Sequence, residues 1–384
     1  MKRIKKSNGE LKSFSLASAL NDIGSDMVRP FWPLFVTSIL GAPVAFLGLL
    51  DGLGDAISQS VKFPAGYFSD RFKRRKIFIW LGYLLAGLAR IGYALSQFFS
   101  WLVPFKIMDR MGKMRDPPRD AMLSNITRKK KRGKAFGILT AADNFGAFLG
   151  PIIAFFLIMY IGYREIFFLA AIPSLIGAVL IYGFVKEEKF LSKVKYRFQL
   201  CRLSANYKML LFSSAVFSLS WFSISFMVLF ASKYLDIVFL PLLFIAMSFF
   251  AMIASIPAGR LSDSIGRKPI MLLGYVLFAI VCLGFVFFNA AMALIMIFGL
   301  FILYGVHYGI VTTIQSPFIS DMVPKKTRAS AIGLYQTITG LVLLPASVIA
   351  GLLWDMVSVE SVFMFGAVVS IIAAVLLFVL VREE

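Results

Sequence analysis

The chain has 384 residues, of which 59% are hydrophobic and 16% charged. A soluble domain is about half apolar and a quarter charged, so this composition excludes a soluble globular protein. The net charge of +20 comes from Lys and Arg clusters in short gaps between apolar segments, a placement that argues against nucleic-acid binding. The apolar segments are long enough to cross about 30 Å of hydrocarbon as helices. They are also too long and too uniformly apolar for the strands of a lipid-facing barrel.

The apolar segments predict an all-α integral membrane protein with twelve transmembrane helices. The spans are grouped as six plus six around one long polar gap, which predicts an N-terminal lobe (1–186), a cytoplasmic linker (187–206) and a C-terminal lobe (207–384). In chain order the predicted spans are 12–40, 43–69, 76–97, 100–127, 133–160, 164–186, 207–234, 237–263, 268–288, 290–322, 328–353 and 360–381.

Basic clusters alternate with nearly uncharged gaps along the chain. Lys and Arg concentrate in the gaps near 71–76, 128–134, 186–202, 260–268 and 325–328, whereas the gap at Gly41-Ala42-Pro43 carries no charge. Cytoplasmic loops of membrane proteins carry such an excess of Lys and Arg. The pattern therefore predicts a multi-pass protein of the cell (plasma or inner) membrane with both termini in the cytoplasm. Attraction to anionic lipid accounts for the basic excess.

One loop occurs twice, 193 positions apart, each time between two apolar segments. The copies share small-xxx-Asp followed by basic residues, and a second matching stretch around Ser124 and Ser320 recurs 196 positions apart. Such a duplication indicates a two-lobed carrier. The residues predicted to form the two gating loops are Gly66, Asp70, Arg71, Arg74 and Arg75 in the first copy, and Gly259, Asp263, Gly266, Arg267 and Lys268 in the second.

These loops resemble the signature between helices 2 and 3 of the major facilitator superfamily, and the resemblance covers essentially the whole chain. The first copy has Lys73 where glycine is usual, and the second has Ser264 where a basic residue is usual. The stretch from Asp109 to Ala121 resembles a prokaryotic subgroup of efflux-type permeases. The resemblance implies two pseudo-symmetric six-helix lobes. It also implies that Asp70 latches the cytoplasmic side against helix 11; the alternative is a loop that only sets topology.

Helix 5 carries glycines at the spacing of an antiporter signature. Gly137, Gly146, Gly150 and Pro151 match it, whereas Ala154 and Phe155 replace its final glycine pair. Glycines make a smooth face for a neighbouring helix, and proline removes a backbone hydrogen bond. The resemblance favours export, and ordinary tight packing is the alternative.

Ionisable residues inside the first six spans are the sharpest functional indication. Charged side chains in a bilayer are costly and are paired or lie in a wet cavity. The predicted proton-coupling and cavity residues are Asp22, Asp26 and Arg29 on helix 1, Asp51 and Asp55 on helix 2, Arg90 on helix 3, Lys106 on helix 4 and Asp143 on helix 5. Lys62 lies two turns beyond Asp55 and is a further partner. Lys106 falls where the resemblance places an arginine linked to proton transfer. The alternative for any of these residues is a static network.

Aromatic residues and the single histidine supply candidate substrate contacts. His307 lies beside Tyr304 and Tyr308 in helix 10, and Phe31 and Trp32 lie near two prolines after helix 1. A lone histidine cannot build a metal site, so we predict packing or substrate contact for it. Phe31 and Trp32 are predicted to line an apolar substrate cavity.

Together these features predict a monomeric secondary transporter, not an enzyme, that works by alternating access. Its predicted partners are a small-molecule substrate, protons and the lipid bilayer, with no nucleic acid, no cofactor and no resident metal. Proton-coupled efflux by antiport of a small amphipathic organic compound or drug is the predicted function. The alternatives are a ferroportin-like exporter that binds a divalent cation through carboxylates, and, from other classes, a receptor, a membrane enzyme or a lipid scramblase.

Overall fold

The computed structural model describes residues 2–72, 74–126, 132–187, 204–323 and 328–382, and every regular element in these ranges is helical. Helices satisfy their own backbone hydrogen bonds, which the bilayer cannot do. The helices are α1 (Lys2–Val28), α2 (Trp32–Leu34), α3 (Val44–Ser60), α4 (Lys62–Phe72), α5 (Arg75–Leu95), α6 (Leu102–Met111), α7 (Asp116–Ile126), α8 (Arg132–Leu157), α9 (Tyr163–Phe184), α10 (Ala205–Ser220), α11 (Ser225–Ala231), α12 (Leu240–Ile265), α13 (Arg267–Val286), α14 (Ala293–Met322), α15 (Arg328–Met356) and α16 (Val359–Leu380).

Each of the twelve predicted spans coincides with one helix or with a broken run of shorter helices. Among the described residues, nine helical segments are long and apolar enough to cross a membrane. The other three predicted spans, 12–40, 43–69 and 100–127, each carry several ionisable residues away from their ends. Each of these three is interrupted: at 29–31 after α1, at Val61 between α3 and α4, and by a 3₁₀ turn (Gly112–Arg115) between α6 and α7.

Two interruptions have different local causes. Pro30 lies two residues after the end of α1 and has no N–H to continue the helix, which accounts for the break at 29–31. Another interruption, inside the predicted span 207–234, separates α10 from α11 at residues 221–224, which contain neither proline nor glycine. There the Ser223 hydroxyl accepts a hydrogen bond of 3.2 Å from the backbone N–H of Ser225, a local bond that competes with the helical pattern.

Both halves of the chain pair their helices in the same pattern. In the first half α1 packs on α8 and α9, α5 packs on α9 and α6, and α4 packs on α7. In the second half the corresponding pairs are α10 on α15 and α16, α13 on α16 and α14, and α12 on α14. This repeat of packing partners confirms the predicted pseudo-symmetric duplication.

The chain divides into two compact units. Unit 1 comprises Met1–Gly41 and Ile57–Lys193, and unit 2 comprises Ala42–Ala56 and Val194–Glu384. Most of α3 therefore groups with the second half of the sequence, although its last turn groups with the first. The predicted domain boundaries at 186 and 207 stay predictions, and the predicted linker lies almost entirely outside the described residues.

Candidate functional site

The glycines of the predicted helix-5 motif lie where α8 meets α1 in unit 1. A Cβ at Gly146 would overlap the backbone carbonyl oxygen of Ala19, and a Cβ at Gly150 would lie 2.6 Å from that of Ile23. Only glycine allows two helix backbones to approach this closely. Gly137 belongs to the part of α8 whose side chains are not described. Pro151 lies inside α8.

The predicted carboxylates of α1 lie on this interface. The Cβ atom of Asp26 is 3.0 Å from the position a Cβ would take at Gly150. The carboxylate of Asp26 pairs with the Arg29 guanidinium at 3.4 Å, and 43% of the Arg29 side chain is exposed. Asp22, one turn earlier, accepts a hydrogen bond of 3.1 Å from the Asn21 amide. Asp22 and Asp26 thus lie near the end of α1, with Arg29 just beyond it, and the spacing of Asp26 and Arg29 correctly predicts their pairing.

Asp143 on α8 joins α1 and α7 through a serine. The Ser18 hydroxyl accepts a hydrogen bond of 2.8 Å from Arg119 and also bonds the Asp143 carboxylate. Arg119 in turn lies 3.1 Å from Asp120 and 3.8 Å from Asp116. The Oδ1 atom of Asp143 is buried without a hydrogen-bond partner among the described residues.

Sequence reasoning did not assign site roles to Ser18, Asp116 or Arg119. The available signal is the alternation of acidic and basic residues inside the predicted span 100–127, next to Pro117 and Pro118. A single serine on α1 carries no such signal, because its role depends on which helices pack against it.

Arg90 is the most deeply buried of the predicted charges, with 1% of its surface exposed. Its guanidinium donates to the carbonyl oxygens of Ala170 (3.1 Å) and Asn21 (3.2 Å), to the Ser25 hydroxyl (2.7 Å) and to the Ser174 hydroxyl. All of these acceptors are neutral. The bonds tie α5 to α1 and α9, which favours the static alternative for this arginine.

Lys106 meets one of the predicted aromatic residues. Its ammonium lies 4.1 Å from the centre of the Trp32 ring, a cation–π contact, and both side chains are buried. Trp32 also packs on Tyr93, with ring centroids 4.8 Å apart. Phe31 packs on Tyr163 at 5.7 Å. The predicted helix-4 cation and the predicted apolar contacts are therefore neighbours in unit 1.

Asp51 belongs to a polar cluster in unit 2. Its Oδ2 atom accepts a hydrogen bond of 2.7 Å from the Ser223 hydroxyl and another from the Ser225 hydroxyl, both at the α10–α11 break. The backbone N–H of Ser223 donates to the Ser347 hydroxyl of α15 at 3.2 Å. The side chain of Asp51 is buried. Its carboxylate thus lies at the break between α10 and α11, which contains neither proline nor glycine.

The other predicted charges on α3 and α4 have different surroundings. Asp55 is half-buried in the part of α3 that groups with unit 2. Lys62 donates a hydrogen bond of 3.0 Å to the Gln59 amide oxygen, one turn earlier. The start of α3 is capped by Asp355 of α15, whose carboxylate accepts from the backbone N–H groups of Val44 (3.3 Å) and Ala45 (2.7 Å).

Tyr304, His307 and Tyr308 lie together on α14, as their spacing predicts. Tyr304 and His307 are buried, and 37% of Tyr308 is exposed. The Nδ1 atom of His307 is 2.7 Å from the carbonyl oxygen of Gly274 on α13. Trp221, at the end of α10, donates a hydrogen bond of 3.2 Å from its indole N–H to the Tyr304 hydroxyl. No spacing or motif in the sequence links Trp221 to these residues.

In the second gating loop, Arg267 holds the acidic residues together. Its guanidinium lies 2.6 Å from Asp263 and 3.2 Å from Asp321, and it donates to the Ser262 hydroxyl. Gly266 has φ = 100°, a conformation that residues with a Cβ rarely adopt. Lys268 lies over the Phe378 ring of α16 at 5.1 Å.

The first gating loop is only partly described. Lys73, which replaces the glycine of the second copy, and the side chain of Asp70 lie outside the described residues. Arg71 and Arg74 are exposed. The backbone N–H groups of Arg75 and Lys76 donate to the Glu187 carboxylate at 2.9 and 3.0 Å. The latch between Asp70 and the eleventh predicted span (328–353), which lies in α15, stays a prediction.

The glycines of the two loops occupy matching positions. A Cβ at Gly66 would lie 3.5 Å from Pro117 of α7, and a Cβ at Gly259 would lie 3.8 Å from Thr313 of α14. Each glycine therefore lies at ordinary contact distance from the fourth predicted span of its own half, which is α7 for Gly66 and α14 for Gly259.

The family model of the Major Facilitator Superfamily matches residues 14–230 and 210–384. An uncharacterized MFS-type transporter of Methanocaldococcus jannaschii, MJ1317, is 38% identical over 374 residues, which is 94% of this chain and 92% of that protein. The chain therefore belongs to the major facilitator superfamily and is a multi-pass secondary transporter rather than an enzyme.

More distant matches agree on the fold. The crystal structure of a D-xylose–proton symporter aligns with 98% of this chain and 97% of its own, with a TM-score of 0.76 and 16% identity. The nucleoside transporter NupG gives a TM-score of 0.78 with 11% identity, over 98% of this chain and all of its own. The multidrug resistance protein MdtH of Salmonella arizonae is 27% identical over 159 residues, 41% of this chain and 39% of that protein.

Proposed function

We propose that the protein exports small amphipathic organic compounds in exchange for protons, by alternating access. The observation that carries the proposal is the α1–α8 interface in unit 1. There the antiporter-like glycines bring the backbone of α8 against the segment of α1 that holds Asp22 and Asp26. A carboxylate at such a tightly packed interface links its protonation to the position of two helices.

Asp26 and Asp143 are the proton-carrying residues of this proposal, with Asp22 as their acidic neighbour. Asp26 pairs with Arg29, and 43% of the Arg29 side chain is exposed. One carboxylate oxygen of Asp143 is buried without a described hydrogen-bond partner. Binding of a proton there neutralises a carboxylate charge that hydrogen bonds stabilise at the other oxygen alone. Release of either proton then requires that the local charge pairing changes during transport.

Arg90 has a different role in the proposal. Its neutral, fully formed hydrogen bonds hold α1, α5 and α9 in place while the carboxylates titrate. Lys106 and Trp32 form a buried cation–π contact. We propose that Phe31 and Trp32 face the transported compound.

Similarity to named transporters supports the proposed direction and cargo. Part of the chain resembles MdtH, which is named for multidrug resistance, and this favours drug-like compounds and export. A family member of the same fold is named as a proton symporter, which favours protons as the coupling ion. We further propose that the protein is a monomer in the cell membrane with cytoplasmic termini, and that the repeated loops gate its cytoplasmic side.

Transport in reconstituted vesicles tests the proposal. Purified protein in proteoliposomes is given a pH gradient, and movement of the amphipathic dye Hoechst 33342 is followed by fluorescence. We expect dye movement that depends on the gradient and is lost in Asp26→Asn and strongly reduced in Asp143→Asn. The control is Asp236→Asn, which alters an exposed aspartate in a loop of unit 2. Equal, gradient-independent movement in all variants would overturn the proton-coupled mechanism.

Export of a divalent metal remains the alternative cargo. It requires several carboxylates around one ion. In the described ranges no group of three or more His, Cys, Asp or Glu residues that could hold a metal ion occurs. Saturable Mn²⁺ transport that ignores the pH gradient would favour this alternative.

A further inference from the structure

Unit 2 contains an aromatic cluster around the single histidine. The cluster consists of Phe217 and Trp221 at the end of α10, Phe278 on α13, and Tyr304, His307 and Tyr308 on α14. From the His307 ring, centroid distances are 5.1 Å to Phe278, 5.7 Å to Trp221 and Tyr304, and 5.8 Å to Phe217. Trp221 and Tyr308 are 6.0 Å apart.

One atom in the cluster is unsatisfied. A carbonyl oxygen can only accept, so the 2.7 Å contact with Gly274 places a hydrogen on Nδ1 of His307. In the neutral ring Nε2 then carries a lone pair. Nε2 is buried, and no described residue donates to it. A buried acceptor without a donor is costly, and native proteins keep few of them.

The surroundings select the kind of donor that fits. Several aromatic rings attract a cation through their π faces. The Asp51 carboxylate accepts a hydrogen bond from Ser223, which lies two residues after Trp221. Protonated amines are cations that also donate N–H bonds, whereas alcohols lack the charge and quaternary ammonium ions lack the hydrogen.

The cluster also has an opening side. His307, Phe278 and Phe217 are almost fully buried, whereas Trp221 is half-buried and Tyr308 is 37% exposed. Trp221 lies outside regular helix, with φ = −89° and ψ = 58°. Its indole donates a hydrogen bond to Tyr304 and packs against the His307 ring, with centroids 5.7 Å apart. Trp221 and Tyr308 are the cluster members with exposed surface, so a ligand would approach His307 past them.

We propose that this cluster is a binding subsite for organic amines, in which a protonated amine donates a hydrogen bond to Nε2 of His307 and lies against the Trp221 and Tyr304 rings. The apolar body of the amine extends towards Tyr308. The subsite names the substrate class of the proposed exporter and in that respect rests on the proposed function.

Binding of three matched probes tests the subsite in lipid nanodiscs at pH 7. The probes are 2-(1-naphthyl)ethylammonium, its N-trimethyl analogue and 2-(1-naphthyl)ethanol, measured by isothermal titration calorimetry. We expect the primary ammonium to bind about tenfold more tightly than the trimethyl ion, because only it donates to Nε2. The alcohol, which lacks the charge, should bind weakest. Equal affinity of the ammonium and the alcohol in the wild-type protein would overturn the proposal.

Two variants locate the site. In His307→Phe, which keeps an aromatic ring of similar size, we expect the preference for the ammonium over the trimethyl ion to vanish. Trp221→Phe should weaken both cations by about threefold, and the matched control Trp354→Phe, a half-buried tryptophan of α15, should leave them unchanged. If His307→Phe does not fold, the comparison of Trp221→Phe with Trp354→Phe alone tests the proposal. An unchanged preference in His307→Phe, or equal effects of the two tryptophan changes, would overturn the proposal.

The assay separates this inference from the proposed function, since no gradient is involved. Loss of proton-coupled dye transport with the probe preference intact contradicts proton coupling alone. Coupled transport without any amine preference contradicts the subsite alone.

Discussion

Ser223 donates a hydrogen bond of 2.7 Å to the carboxylate of Asp51, although the two residues lie 172 positions apart in the chain. The bond joins α3 to the break between α10 and α11. Ser225 adds a second bond to the same carboxylate oxygen. One buried charge therefore stabilises a segment of irregular backbone, where hydroxyls that would otherwise bond only locally find a charged acceptor.

The first prediction concerns this charge. Asp51→Ala leaves two hydroxyls without their acceptor, and we expect the free energy of unfolding to fall by about 2–4 kcal/mol. Unfolding in mixed micelles with increasing SDS measures it. Asp236→Ala, at an exposed aspartate, should change the same quantity by less than about 0.5 kcal/mol. Similar small effects in both variants would show that the Asp51 bonds contribute little.

The second prediction concerns the α1–α8 interface. In a helix, Gly→Ala gains up to about 1 kcal/mol from propensity. At Gly150 a Cβ would lie 2.6 Å from the Ile23 carbonyl oxygen, so overlap of about 1–3 kcal/mol outweighs that gain. We expect Gly150→Ala to lower the thermal unfolding midpoint and the transport rate. Gly183→Ala on α9, where a Cβ meets nothing within 4 Å, should lower neither. A stable, fully active Gly150→Ala protein would mean that the interface is looser than described.

The third prediction concerns Arg90. Lysine cannot reproduce the planar fork that reaches α1 and α9 together. We expect Arg90→Lys to cost about 2–4 kcal/mol in stability, seen as loss of monodisperse protein in size-exclusion chromatography. The folded fraction should retain proton-dependent transport. Arg29→Lys, which keeps a cation beside Asp26, serves as the exposed control and should elute normally. Folded Arg90→Lys protein without proton dependence would instead give Arg90 a direct part in coupling.

The fourth prediction concerns the second gating loop. Arg267 pairs with Asp263 and Asp321, which are 67% and 58% exposed, so its ion pairs contribute at most about 1 kcal/mol to stability. We expect Arg267→Ala to leave the unfolding midpoint nearly unchanged and to slow transport severalfold. Arg260→Ala, at an exposed arginine of the preceding helix α12, is the comparison. Equal transport rates in the two variants would leave the loop with a topological role only.

Long apolar segments and the duplicated loop predict the fold well, because lipid admits only helices and closed barrels and the segments are too long for barrel strands. The positions of the breaks were harder to predict. Pro30 marks one of them, whereas the α10–α11 break at 221–224 depends on Ser223, whose preference for a local bond is weak and is reinforced by a residue on another helix. Spacing on a single helix correctly joins Asp26 with Arg29 and Tyr304 with His307.

Contacts between distant helices escaped prediction for the same physical reason. Ser18 between Arg119 and Asp143, Asp51 with Ser223, and Trp221 beside His307 each depend on which faces of two helices meet. Hydropathy fixes that a helix is buried, but it does not fix the rotation that chooses its neighbours. Arg90 illustrates the consequence, since its position alone indicated a charged partner and its described acceptors are all neutral.

The most direct test of the central claim reverses the driving force. A gradient of Hoechst 33342 across proteoliposomes, with no initial pH difference, should drive protons in the opposite direction, and lumenal pyranine reports the resulting change in pH. The account predicts a dye-dependent pH change in the wild-type protein and in Asp236→Asn, and none in Asp26→Asn even though the variant still binds the dye. A pH change of wild-type size in Asp26→Asn would contradict the claim that this carboxylate carries the exchanged proton.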